Sequence, residues 1–148
     1  MNSNYMAFEF VHPDFSRQRS VETSSLDTGI RLSAKHTISL VDHEASVRQA
    51  ILILLTTRPG ERVMRPQYGC MLHTLTFVPN DDTTAGLAIH FVRQALERWE
   101  PRIRIVRLDA GRSPETPGLL EIYLEYLVIA TNRTEQIVVP VILSGSEN

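Results

Sequence analysis

The sequence of 148 residues contains little cysteine and no long apolar run. Cys70 is the only cysteine, so no disulfide can form within the chain, which is usual for proteins that fold in a reducing compartment. We expect Cys70 to be a small buried side chain and not a nucleophile. The most apolar run, residues 50–55, is far shorter than the roughly 20 residues that a membrane-spanning helix needs. The N-terminus lacks the basic and apolar segments of a secretory signal, so we expect cytoplasmic assembly and no membrane partner.

An excess of charge of one sign is also missing. The chain has 15 basic and 17 acidic residues and a net charge of −2, which gives no electrostatic reason to expect nucleic acid as a partner. The five histidines and Cys70 are not at metal-ligand spacing. Phosphate loops, dinucleotide-binding glycine patterns and nucleophile elbows are absent. The sequence therefore predicts no metal, no cofactor and no catalytic residue.

One enzymatic alternative stays open. Glu61 and Glu100 could form the pair of carboxylates that a glycosidase needs, which would make the protein a peptidoglycan-cleaving enzyme. A chain with 17 acidic residues always offers some such pair, however, and both glutamates have arginines nearby as simpler partners. A protein-binding adaptor on the same fold is a further alternative.

Two stretches have the period of an amphipathic helix. The first follows Asp42, a suitable N-cap, and ends at Pro59-Gly60, where the helix cannot continue. The second follows possible caps at residues 80–83 and ends before Pro101. Apolar residues recur at i, i+3, i+4, i+7 and i+8 in both stretches. They are Val47, Ala50, Ile51, Leu54 and Leu55 in the first, and Ala88, Phe91, Val92, Ala95, Leu96 and Trp99 in the second.

The period changes to two after Pro101. Residues 102–109, 119–130 and 135–143 read as three strands with short turn-rich connections, which favours an antiparallel meander. Pro140 cannot donate a ladder hydrogen bond, so we expect the last strand at a sheet edge. The predicted fold is α+β, with two main amphipathic helices packed on a small antiparallel sheet formed mostly by the C-terminal strands. We interpret residues 1–35 as a partly ordered N-terminal arm and residues 36–148 as a single domain.

The segment between the helices is dense in turn residues and arginine. Prolines and glycines impose turns, and three arginines, Arg58, Arg62 and Arg65, lie within eight positions. Val63-Met64 and residues 71–77 are apolar enough to pack inside the domain. A structured loop of this length is often functional.

Three short motifs occur in fixed order over about forty residues. They are Pro-Gly-Glu-Arg at 59–62, Arg65-Pro66 followed by Tyr68-Gly69-Cys70, and Trp99-Glu100-Pro101-Arg102-Ile103. Together with the helices and terminal strands, they resemble the baseplate-wedge, or sheath-initiator, family of contractile phage tails, type VI secretion systems and related injection machines. The resemblance covers roughly residues 38–143. It implies a structural, non-enzymatic part of a phage-tail or injection-particle baseplate, although members have often been labelled tail lysozymes.

The resemblance also implies two contact surfaces. Glu100, Pro101 and Arg102 match the family's Glu-Pro-Arg motif, which implies attachment to the larger wedge proteins that form the core bundle. Arg62 and Arg65 are further candidates for this docking surface, because arginine is favoured at interfaces. The arginines could instead pair internally with Glu61 and Glu100, and both arrangements can coexist.

The second implied surface is the sheet, which in this family offers the first template for sheath subunits. The last strand has no charge after Glu135, and such an edge invites a partner strand. Burial of both faces within the domain is the alternative. Tube and spike hub proteins are further candidate partners, and the family implies six copies per particle. The residues that we assign to strand pairing are Ile137, Val138, Val139, Val141, Ile142 and Leu143.

Overall fold

The computed structural model describes residues 43–143 in full and, before them, four short strands at 7–8, 10–11, 29–30 and 40–41. The chain divides into two compact units, residues 1–50 and 51–148, and the division lies within the first helix. The predicted boundary between residues 35 and 36, and the assignment of Asp42 as a helix cap, fall outside the described residues and stay predictions.

Unit 1 contains two small antiparallel pairs of strands. β1 (Ala7–Phe8) pairs with β4 (Leu40–Val41), and β2 (Phe10–Val11) pairs with β3 (Gly29–Ile30). The first helix begins directly afterwards.

Helix α1 (His43–Thr56) follows the predicted pattern. Val47, Ile51 and Leu54 are buried along its apolar stripe. The Thr56 hydroxyl donates back to the carbonyl of Leu52, one turn earlier in the helix, at 2.8 Å. The helix ends three residues before Pro59-Gly60, as expected.

Helix α2 (Asp82–Trp99) is the longer helix, and Asp81 caps it. The Asp81 carboxylate accepts a hydrogen bond from the Thr84 backbone N–H at 2.8 Å. The predicted apolar stripe is buried at Val92 and Leu96, among others, and packs on the sheet. The predicted polar face is exposed along its length, and its members are His90, Arg93, Gln94, Glu97 and Arg98.

The sheet is an antiparallel meander of β5 (Ile103–Arg112), β6 (Leu119–Val128) and β7 (Arg133–Ile142) in that order. The predicted α+β class is therefore confirmed. A register shift between Ile105 and Arg107 marks a bulge in β5. Among the described strands, β7 lies at one end of the sheet, which agrees with the place expected from Pro140. The middle strand alternates as predicted, with one face buried at Leu120, Ile122, Leu124, Tyr126 and Val128.

The segment between the helices is ordered by turns and one short 3₁₀ helix, Met71–Leu75. Leu72, Leu75 and Cys70 are buried there, and burial raises the pKa of the Cys70 thiol, as expected for a side chain with a packing role. The expectation that Val63-Met64 packs is wrong, because the two side chains are 94% and 91% exposed. In the described part of the chain, neither helix has the length and apolar character to cross a membrane.

Candidate partner-docking corner

The candidate site lies where α2 turns into β5. The helix ends because Pro101 cannot supply a helical N–H, and the Glu100 N–H closes the last turn on the Leu96 carbonyl at 2.9 Å. Two residues later the chain enters the sheet, and the Arg102 carbonyl accepts from the Ile129 N–H at 3.0 Å. The Glu-Pro-Arg triplet is thus fixed at both ends by backbone hydrogen bonds.

Glu100 and Arg102 form a two-pronged ion pair. Arg102 Nε donates to Glu100 Oε1 at 2.6 Å, and Arg102 Nη2 donates to Glu100 Oε2 at 2.8 Å. The Glu100 side chain is only 6% exposed, whereas 34% of the Arg102 side chain remains exposed. A nearly buried carboxylate needs such a partner, since an unpaired buried charge is strongly unfavourable. Glu100 therefore turns inward and holds the guanidinium group of Arg102 at the surface.

A stack of rings and guanidinium groups joins this triplet to the loop of residues 58–69, which we call the arginine loop. The Arg62 guanidinium carbon lies 4.0 Å from the centre of the Tyr68 ring. Tyr68 meets Trp99 edge-on, with ring centres 5.4 Å apart and an angle of 62° between the planes. Arg98 lies 5.1 Å from the Trp99 ring centre and donates to Gln67 Oε1. Both kinds of contact are favourable, so the loop is fixed against the end of α2.

Burial of Tyr68 raises the pKa of its phenol, and the nearby Arg62 cation opposes this shift. Tyr68 therefore stays neutral at physiological pH and supplies an uncharged ring face to Arg62. The positive charge of Arg62 is left without a neutralising anion in this contact.

The other end of the arginine loop closes on α1 through glycine. Cys70 N–H donates to the Thr57 carbonyl at 2.9 Å, and Gly60 N–H donates to the Pro66 carbonyl at 2.6 Å. Gly69 has φ +135°, and a Cβ atom built there would lie 2.4 Å from the Thr57 oxygen. Only glycine permits this approach, because it has no Cβ.

Direct contacts connect only some of the docking residues predicted from the sequence. Glu100 and Arg102 pair with each other, and Arg62 joins the same structure through Tyr68 and Trp99. The exposed Arg65 follows in the same loop, where its N–H closes a turn on the Arg62 carbonyl at 3.2 Å. We call the surface formed by these side chains the docking corner: Arg62, Arg65, Glu100, Pro101 and Arg102.

Glu61 has a backbone partner and not one of the arginine side chains that the sequence suggested for it. Glu61 Oε2 accepts from the Arg58 backbone N–H at 2.9 Å. Glu61 therefore stabilises the turn at the start of the arginine loop. The contacts through Gln67 and Arg98 were missed by the sequence analysis, and no local signal could have revealed a pair that lies 31 residues apart in the chain.

The predicted strand-pairing residues differ in their side-chain environment. Ile137, Val139 and Leu143 are buried, so their side chains cannot contact a partner strand. The Leu143 N–H is already bonded to the Gly118 carbonyl at 2.9 Å. Ile142 is 72% exposed, at the end of β7. Val138 and Val141 are half-buried.

The described residues offer no cluster of three or more metal-ligating side chains. A shallow depression on the polar face of α2 is lined by neither Glu61 nor Glu100. Its lining residues are His90, Arg93, Gln94, Glu97 and Arg98.

The fold recurs in the baseplate of a contractile machine. A chain of the anti-feeding prophage baseplate is 22% identical in sequence and superposes with a TM-score of 0.56 over 80% of its length and 78% of this chain. A crystal structure from Geobacter sulfurreducens, under the provisional name of tail lysozyme, is 36% identical with a TM-score of 0.64. That alignment covers 80% of this chain and 99% of the Geobacter chain.

This chain belongs to the baseplate wedge protein gp25 family, whose model matches residues 41–133. It is 28% identical over 80 residues to the baseplate wedge protein gp25 of Enterobacteria phage T4. That match covers 54% of this chain and 61% of the length of the phage protein. The family resemblance seen in the three sequence motifs is thereby confirmed.

Proposed function

We propose that this protein is a non-enzymatic component of the baseplate of a contractile injection machine, where it joins the core bundle of larger wedge proteins to the sheath. The docking corner binds the wedge proteins, and the end of β7 offers the first strand on which sheath subunits assemble. Six copies surround the tube, as the family implies. Membership of the baseplate wedge family supports this assignment.

The observation that carries the proposal is the paired and fixed state of the Glu-Pro-Arg triplet. The buried Glu100 carboxylate orients Arg102, so its planar group is held ready at the surface before a partner arrives. A guanidinium group fixed in this way loses little conformational entropy on binding and can donate two parallel hydrogen bonds to a carboxylate. Arg62 adds a second positive charge that its aromatic contact does not neutralise.

The position and side chains of β7 support its role as the surface on which the sheath begins, which we call the sheath surface. The strand lies at one end of the described sheet, and its last residue, Ile142, presents an apolar side chain to solvent. Val138 already has an interaction partner within the chain, so we place the added strand around Pro140–Ile142. Backbone pairing there supplies affinity without requiring the buried side chains of Ile137 and Val139.

The experiment uses charge reversal in the native host, followed by purification of baseplates. Arg65→Glu is preferred to Arg102→Glu, because a second carboxylate beside the buried Glu100 would destabilise the fold itself. The matched control is Arg112→Glu, at the other end of β5, about 30 Å along the strand from Ile103. We expect Arg65→Glu to abolish incorporation of the protein and Arg112→Glu to preserve it. Equal incorporation of both variants would contradict the docking role.

The sheath surface is tested separately. Ile142→Lys places a charge at the end of β7. Val106→Lys places the same charge at an exposed apolar residue of β5, the strand at the opposite edge of the described sheet. We expect Ile142→Lys baseplates to retain the protein but to carry no sheath in electron micrographs, while Val106→Lys particles have sheaths of normal length. Normal sheaths on Ile142→Lys baseplates would exclude the strand-template role.

A further inference from the structure

The apex of the arginine loop has an unusual composition. Arg62 to Arg65 form a four-residue turn, and its two central positions are occupied by Val63 and Met64. Turns on a protein surface are usually built from glycine, proline, asparagine, aspartate and serine, because these residues suit the backbone and tolerate water. Here two large apolar side chains, each more than nine-tenths exposed, occupy the apex.

The loop holds this apex in a defined position. Arg58 N–H donates to the Glu61 carboxylate, Gly60 N–H donates to the Pro66 carbonyl, and Tyr68 N–H donates to the Arg65 carbonyl at 3.0 Å. The Gly60–Pro66 bond crosses the loop below the apex, and the other two bonds close one turn on each side of it. Val63 and Met64 are therefore presented to solvent by a hydrogen-bonded frame.

The surroundings of the apex are cationic. Residues 58–65 contain three arginines and one glutamate, and Glu61 already accepts a hydrogen bond from the backbone of the loop. Arg62 and Arg65 flank the two apolar residues directly. The complementary surface is thus an apolar pocket with carboxylates at its rim.

We propose that Val63 and Met64 form an apolar anchor that inserts into such an acid-rimmed pocket on another protein of the baseplate. The anchor deepens the proposed docking role and rests on it, because the contacts of Tyr68 with Arg62 and Trp99 fix the loop to the residue that precedes the Glu-Pro-Arg triplet. Apolar side chains of this size gain binding free energy when a pocket removes them from water. The side chains that matter most in an interface lie in well-packed pockets from which water is excluded. Methionine also adapts its shape to irregular pockets.

The first measurement is a cross-link in the full-length protein inside native baseplates. A photoreactive phenylalanine analogue replaces Met64, and in a control strain it replaces Phe77, which is 83% exposed but lies outside the arginine loop. We expect position 64 to cross-link to one baseplate protein at an apolar site bordered by Asp or Glu. Cross-links only to a second copy of this chain, or none at all, would overturn the proposal.

The second measurement is affinity for the protein identified by that cross-link. The double variant Val63→Ser/Met64→Ser should fold normally, because both side chains are in solvent. We expect its affinity to fall by about 100-fold, since two apolar side chains lose their burial, and Phe77→Ser to bind as the unmodified protein does. Unchanged binding of the double variant, or an equal loss with Phe77→Ser, would refute the anchor.

Arg65→Glu separates this inference from the proposed function. If Arg65→Glu abolishes incorporation while the double serine variant is incorporated and binds normally, the docking corner stands and the anchor is refuted. If both variants are incorporated normally, the docking role fails together with the anchor.

Discussion

Replacing Gly69 by alanine is expected to weaken the fold more than a glycine substitution in a surface loop usually does. The backbone of Gly69 has φ +135°, a region that side chains rarely adopt. A Cβ atom there would lie 2.4 Å from the Thr57 oxygen and 2.9 Å from both the Arg58 carbonyl carbon and the Pro59 nitrogen. All three atoms belong to the backbone, so no side-chain rotation can relieve the contact.

The magnitude follows from two contributions. A residue held in a sparsely populated backbone region costs about 1–3 kcal/mol. Moving Thr57 away would also lengthen the 2.9 Å bond from the buried Cys70 N–H, and a buried donor without a partner costs about 1–3 kcal/mol. We therefore expect Gly69→Ala to lower the free energy of unfolding by about 3 kcal/mol or more, a large part of the typical 5–15 kcal/mol.

Gly60→Ala is the matched control. Gly60 also has a positive φ, +96°, but beyond its own chain neighbours no heavy atom lies within 4 Å of the position of its Cβ. Only the backbone strain applies there, so we expect a loss of about 1–2 kcal/mol. The difference between the two variants isolates the close approach of Gly69 to Thr57.

The assay is urea unfolding of both variants, with the slope against denaturant checked for constancy. Fluorescence of Trp99, the only tryptophan, reports on its contact with Tyr68, the residue before Gly69. We expect the native-state spectrum to change for Gly69→Ala and not for Gly60→Ala. Equal losses of stability in the two variants would refute the close-approach argument.

Two further predictions concern acid and catalysis. The hydrogen bond from the Thr84 backbone N–H lowers the pKa of Asp81 below its ordinary 3.8. The ionised cap therefore stabilises the fold above that pH, and this contribution is lost as pH falls through the lower value. Asp81→Asn keeps a capping acceptor, so its unfolding midpoint should match the unmodified protein at pH 7 and decline less below pH 3.8; identical acid profiles would contradict this. In a peptidoglycan zymogram we expect no clearing, and clearing that Glu61→Gln and Glu100→Gln both abolish would establish the glycosidase instead.

The helices and the sheet could be predicted because their signals are local. A buried stripe at a period of 3.6 or 2 reflects the geometry of one element, so α2 and the alternation of β6 follow from residues close together in the chain. Turn residues indicated where the elements end, as Pro101 did for α2. None of these inferences required knowledge of which elements meet.

The contacts within the docking corner depend on the path of the chain between elements. Tyr68 and Trp99 meet across 31 positions, and the sequence only shows that each lies near an arginine. The error at Val63-Met64 has a related cause, since apolar composition predicts burial without saying whether the burying surface is in the same chain. A turn apex that fails to pack is therefore informative about partners.

The ion pair within the Glu-Pro-Arg triplet also affects how substitutions in this family should be interpreted. Arg102 both neutralises the buried Glu100 and presents its exposed edge to solvent, so its loss would damage the corner together with the docking contact that we propose for it. A defect after substitution of Glu100 or Arg102 thus does not distinguish folding from recognition. Arg65, Val63 and Met64 contribute little to the stability of the fold, because their side chains are exposed. Recognition by this surface is best measured at those three residues.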